Sequence, residues 1–165
     1  MRGHSSGGGE PSPRDDAIHL LARREYSRAE LASRLAAKGH EAATIAECLD
    51  ALAEQGLQSD DRFAENFLRS RILRGQGPLK VRVELERRGL DREVIQRTLV
   101  ESEQAGQGDW FALAGEALRR RFTGPGESPR ERARRERFLA SRGFDFDQVR
   151  HALEHAWDED SSSVP

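Results

Sequence analysis

The chain is predicted to be all-α, with three tandem three-helix repeats forming an elongated, curved array, and three observations lead there. Five positions recur around Gly39, Gly89 and Gly143 as L-x-x-[KR]-G-x5-[IV]-x3-L, at intervals of 50 and 54 residues, which marks internal duplication. Apolar residues between and after these glycines return at helical spacing. Ser, Asp or Gly-Pro openings precede the periodic stretches where helix starts are expected, and no segment reads convincingly as a strand.

The first repeat is placed at about residues 15–56. Its first helix runs from Asp15 to Glu25. Ser27-x-x-Glu30 is a capping box that opens the second helix, which carries Leu31 and Leu35. That helix ends at Lys38 and Gly39, since a basic residue in the last turn meets the negative end of the dipole and glycine accepts the left-handed conformation that follows. Ile45 and Leu49, four apart, line the third helix.

The second repeat, 57–105, opens with a helix from Asp60 to about Leu73 that carries Phe63, Phe67 and Leu68. Gly77-Pro78 starts the next helix, because a proline at the first helical position gives up no hydrogen bond. Leu85, Arg88 and Gly89 repeat the stop, and Asp91 is expected to cap the helix of Ile95 and Leu99. In the third repeat, 108–158, the first helix spans Asp109 to Phe122 with Trp110, Leu113, Ala117 and Leu118 inward. TGPGE at 123–127 is the internal loop, and Ser128-Pro129-x-Glu131 is a second capping box. Leu139, Arg142 and Gly143 follow, then Asp145 as cap and Val149 and Leu153 as core.

Residues 1–14, rich in Gly, Ser and Pro, are expected to be a disordered tail, and 159–165 an acidic one. Each three-helix unit has a thin core and should lean on its neighbour. A single compact bundle of nine short helices is the alternative.

Composition narrows the function. The hydrophobic fraction is 36% and the charged fraction 34%, which suits surface helices better than a thick core. The single cysteine, Cys48, excludes an intramolecular disulfide framework and favours a reducing compartment. No apolar run approaches a membrane helix and the N-terminus has no signal-peptide stretch, so a soluble cytoplasmic protein is expected. The net charge of −2 conceals segregation, for Arg62 to Arg142 hold 19 basic and 12 acidic residues and the remainder 8 and 17. Such a basic middle fits a polyanion or an acidic protein groove. A solvated helix face with intrahelical Glu–Arg pairs would also account for the RERARRER run at 130–137. Few aromatics are free to stack on bases, which argues against sequence-specific single-strand readout.

Candidate catalytic groups dissolve on inspection. His151-x-x-Glu154-His155 matches the H-x-x-E-H zinc pattern, but Leu153 between the histidines is a core position, and only ten residues follow His155 to supply a third ligand. Cys48 sits beside Leu49 and one turn from Ile45 and Leu52, as a small core residue does. Gly75-x-Gly77-Pro78 lacks the strand context of a nucleotide loop. No enzyme, metal or cofactor is expected.

LARREYSRAEL (21–31), LQSDDRFAENFLRSR (57–71), GQGPLKVRVELERRGL (75–90) and RFLASRGFDFDQV (137–149) resemble, in order, segments of the RecX family of RecA regulators. The resemblance covers about Asp15 to Trp157. It implies a curved three-repeat protein, expected as a monomer, that lies in the groove of the RecA–DNA filament. It further implies inhibition of recombinase, ATPase and coprotease activities, by limiting extension or promoting disassembly. Joined to the charge clustering, it makes Arg71, Arg74, Lys80, Arg82 and Arg88 of repeat two, with Arg120, Arg121, Arg134 and Arg135 of repeat three, the candidate filament-facing surface, with direct contact to DNA phosphates left open. Lys38, Arg88 and Arg142 are also placed to serve their own helix ends. A stand-alone nucleic-acid-binding module and a general helical scaffold are the alternatives.

Overall fold

Leu35, Leu85 and Leu139 are each fully buried, and the helices form around them. The computed structural model describes residues 12–158; most of the expected N-terminal tail, 1–11, and all of the expected acidic tail, 159–165, lie outside the described residues. Nine helices and no strands occur among the described residues. They are α1 (Pro13–Leu21), α2 (Arg28–Ala37) and α3 (Ala42–Glu54) in the first repeat, and α4 (Asp60–Leu73), α5 (Pro78–Arg87) and α6 (Arg92–Gln104) in the second. The third holds α7 (Trp110–Arg121), α8 (Pro129–Ser141) and α9 (Phe146–His155).

Helix α1 begins two residues earlier than the sequence suggests, inside the expected tail. The Ser12 side chain accepts the Asp15 N–H at 3.1 Å, Pro13 occupies the first position, and Asp15 and Asp16 meet the positive helix end, a full set of start signals. Both capping boxes form, at Ser27/Glu30 and Ser128/Glu131, and Asp145 makes a third with Gln148. Asp91 occupies the cap position of α6 but its side chain makes no capping hydrogen bond.

The glycine stops do more than end helices. At Gly89 and Gly143 φ is +82° and +96°, left-handed values that cost other residues a Cβ clash. The neighbouring repeat also packs on both. A Cβ on Gly89 would overlap that of Ala29, and one on Gly143 would overlap that of Lys80 and stand 2.7 Å from its backbone nitrogen. The start of α2 therefore abuts the end of α5, where Ser27 Oγ donates to the Arg88 carbonyl at 2.7 Å. The start of α5 abuts the end of α8 in turn, with the Gly77 N–H on the Arg142 carbonyl at 2.7 Å and the Leu79 N–H on that of Gly143 at 2.9 Å.

Helix α8 breaks this register. Its cap, Ser128, lies 11 residues before Leu139, whereas Ser27 and Gly77 lie 8 before Leu35 and Leu85. The three openings are thus not equivalent, and α8 carries close to one additional turn at its start.

Two apolar cores result. Repeat one has its own, around Leu31, Leu35, Ile45, Leu49 and Leu52. Repeats two and three share another, which joins Val81, Leu85 and Ile95 to Trp110, Leu118 and Leu139. Leu153, the last repeat position, is only half-buried. No helix among the described residues is long and apolar enough to cross a membrane.

Candidate functional site

Helices α4, α7 and α8 end close together, at the junction of repeats two and three. Arg74 caps α4, Arg120 and Arg121 close α7, and Arg142 caps α8. All four line one cavity of about 190 Å³, whose wall is completed by Gly75, Ala117 and Phe138. A cation at a helix C-terminus is favourable, which explains each arginine singly. Their convergence is another matter, since the cavity has no carboxylate in its lining.

Three of the nine candidate residues, Arg74, Arg120 and Arg121, therefore meet in one place. Arg134 is exposed on α8, two turns before Arg142. Lys80 is half-buried in the first turn of α5 and packs on Gly143. Arg82 is exposed, donates to Gln96 Oε1 at 3.3 Å and borders a different, larger groove with Ile95 and Val100.

The other three candidates make contacts within the fold. Arg71 lies 3.2 Å from Glu84 Oε2 and 4.5 Å above the Phe67 ring, fastening α4 to α5. Arg88 pairs with Glu30 across the first junction at 3.2 Å. Arg135 donates to the Gly124 and Glu131 carbonyls at 2.8 and 3.0 Å and stacks over Phe122, fastening the 123–127 loop. Arg142, assigned from sequence to its helix end alone, is the member of the cluster that sequence reasoning misses, although its spacing from Phe138 and Arg134 in steps of four is visible there.

No Glu–Arg ion pair forms within 130–137 among the described residues. Glu131 is occupied by the backbone N–H groups of Glu127 and Ser128, at 2.7 and 3.2 Å, which hold its carboxyl below the usual range. Glu136 borders a separate apolar hollow beside Phe146.

The other marked residues fall as follows. His155 Nδ1 is 2.7 Å from Asp158 Oδ2, and His151 packs edge-on to Phe111 with ring centroids 5.3 Å apart. No group of three or more His, Cys, Asp or Glu is placed to hold a metal ion among the described residues. Cys48 is half-buried against the first core, and desolvation raises its thiol pKa, disfavouring the reactive thiolate. No motif announces a polar knot in repeat one, where Asp16 takes His40 at 2.7 Å and Lys38 at 3.2 Å.

Comparison with known proteins assigns each repeat separately. Residues 14–52, 59–99 and 107–153 match the first, second and third three-helix domains of RecX. The regulatory protein RecX of Chromohalobacter salexigens is 64% identical over 149 residues, covering 90% of this chain and 95% of that one. That of Halorhodospira halophila is 45% identical over 161 residues, 97% of each chain. The crystal structure of RecX from Lactobacillus salivarius superposes with a TM-score of 0.73 at 20% identity, over 87% of this chain and 94% of that one, a likeness of fold.

Proposed function

The chain belongs to the RecX family, and from that premise we propose that it is a cytoplasmic negative regulator of RecA, acting as a monomer in the groove of the RecA–DNA filament. The role is one of binding. Occupying the groove restrains filament extension or favours disassembly, and lowers recombinase, ATPase and coprotease activity together because all three depend on the filament.

One observation carries the placement of the filament-facing surface: the four arginines at the junction of repeats two and three, which have no carboxylate partner among the described residues. Guanidiniums there are available for carboxylates of a protein groove and for phosphates beside it. The repeats follow one another in series, and the hydrogen bonds and ion pair at the two junctions join neighbouring repeats, so the chain can follow a surface longer than a globule of its size would reach.

The test is the single-stranded-DNA-dependent ATPase of the cognate RecA, with the protein titrated from far below to equal molarity. Inhibition at substoichiometric amounts is expected. Charge reversal of Arg74, Arg120 and Arg121 together should abolish it with the helical fold intact. Full inhibition by that variant would remove the surface assignment, and no inhibition by the unmodified chain would leave a nucleic-acid-binding module or a scaffold.

A further inference from the structure

Four guanidiniums around one cavity repel one another, and no carboxylate in the cavity wall offsets them. The arginines that do form ion pairs, such as Arg71, Arg88, Arg97 and Arg150, have their carboxylates at 2.6 to 3.3 Å. Arg74, Arg120, Arg121 and Arg142 have no ion-pair or side-chain hydrogen-bond partner among the described residues. Three helix C-termini supply some negative potential, which is partial and confined to the last turn. A cavity of about 190 Å³ lies below the usual range for a whole ligand, about 300–1,000 Å³. It suits a single small anionic group. Arginine in convergent sets is the residue for phosphate, because its planar fork donates two parallel hydrogen bonds.

The surroundings distinguish a strand from a free ion. Arg134, Phe138 and Arg142 follow one another on α8 in steps of four residues, about 6 Å along the helix axis per step. Arg134 is exposed and unpaired among the described residues, so a second cation continues from the cavity along α8. A lone phosphate would have no use for it, whereas a chain of phosphates would.

The geometry points to this cavity as a phosphate seat for a DNA strand, in which Arg74, Arg120, Arg121 and Arg142 hold one backbone phosphodiester as a unit and Arg134, about 12 Å away along α8, meets a phosphate farther along the strand. The seat deepens the surface proposed above and rests on that reading for its role in the filament, but it binds DNA without RecA.

The experiment measures a fluorescent oligothymidylate binding to the full chain alone, across a salt series. The variants are R120Q, R142Q and R134Q, the two doubles that pair R120Q with each of the others, the conservative R120K, and R23Q as a remote control. R120Q should weaken binding about tenfold or more, as removal of a charge-assisted bond does. Adding R142Q should then cost little, since the unit is already broken, while adding R134Q should multiply the loss of affinity. Every phosphate that a variant no longer neutralises should flatten the logarithmic salt slope by about 0.7. R120K should restore part of the affinity and R23Q should change nothing.

Wild-type affinity in R120Q would overturn the seat. So would an R120Q/R142Q weakening equal to the product of the two single effects, which describes a diffuse basic surface. Inorganic phosphate bound through Arg120, with oligothymidylate unaffected by the pocket variants, would mean a free-anion site and overturn the DNA assignment. RecA ATPase inhibition is read in parallel. Seat behaviour towards the oligonucleotide, with inhibition unchanged in R120Q, would keep the seat and remove its role in the filament.

Discussion

Repeat one and the joined pair of repeats two and three are built from the same pattern yet held by different forces. The pair shares a continuous apolar core. Repeat one keeps a separate core and meets repeat two through polar contacts: Ser27 on the Arg88 carbonyl, Arg88 on Glu30, Arg62 on Glu25 at 2.6 Å, and the Arg28 N–H on Asp60 at 2.8 Å. Apolar burial scales with area, whereas exposed or half-exposed ion pairs contribute little each. The first junction is therefore the weaker, and repeat one should open as its own cooperative unit below the global unfolding free energy. The candidate site stands at the junction whose apolar core is shared.

Truncation in the two cores gives the largest expected effect. Leu85→Ala and Leu35→Ala each remove a fully buried side chain and should cost about 2–5 kcal/mol locally. Hydrogen exchange should show Leu85→Ala loosening repeats two and three together and Leu35→Ala loosening repeat one alone. Equal loosening everywhere would mean one cooperative unit and erase the contrast.

Importing the cap of one junction into the other comes next. Gly77→Ser copies Ser27, ordinarily a better helix cap than glycine or its equal. At this place a Cβ would stand 2.5 Å from the Gly143 carbonyl group and 2.6 Å from the Phe144 nitrogen. Overpacking of backbone against backbone should lower stability by about 1–3 kcal/mol. Thermal denaturation checks it, and a stabilised variant would refute the tight second junction.

A narrower effect belongs to repeat one only. Hydrogen bonding to His40, then Lys38, keeps the Asp16 carboxyl below its usual pKa of 3.8, against the opposing effect of burial. A carboxylate favoured in the folded state stabilises above its unfolded pKa, and that contribution disappears as pH falls through the lowered folded value. Acid should thus release repeat one before the rest, seen as early exchange of its amides. Asp16→Asn should remove that acid sensitivity, because an amide does not titrate; Leu90 and Phe144 stand in the other repeats where His40 stands here, so those repeats lack the same knot.

The smallest change is expected from Arg150→Ala, which breaks an exposed pair with Glu154 at 3.3 Å and should alter stability by no more than about 0.5 kcal/mol. A larger destabilisation would show that the surface of α9 contributes to the shared core's cohesion.

Much of the fold was legible because the repeat encodes burial directly: Leu35, Leu85 and Leu139 are all at zero exposure. What escaped was position along a helix. Ser12-Pro13 carries the same opening as Ser128-Pro129 but lies in a stretch whose composition suggests disorder, and the added turn of α8 is invisible when caps are matched by type. The site was legible as a cluster of cations and not as a geometry. Arg71 and Arg74 look alike in the sequence, yet Arg71 is engaged by Glu84 and Arg74 has no such partner among the described residues. Arg88 finds Glu30 58 residues away, a partner that charge counting along the chain cannot supply.

The added turn of α8 also makes the opening of the third repeat unlike the other two. In the first two repeats the opening of the second helix is a socket for the glycine of the unit that follows. In the third, the position eight residues before Leu139 is Glu131, which lies inside the helix and not at its cap. The pattern that joins the repeats is therefore changed locally, in one turn of one helix.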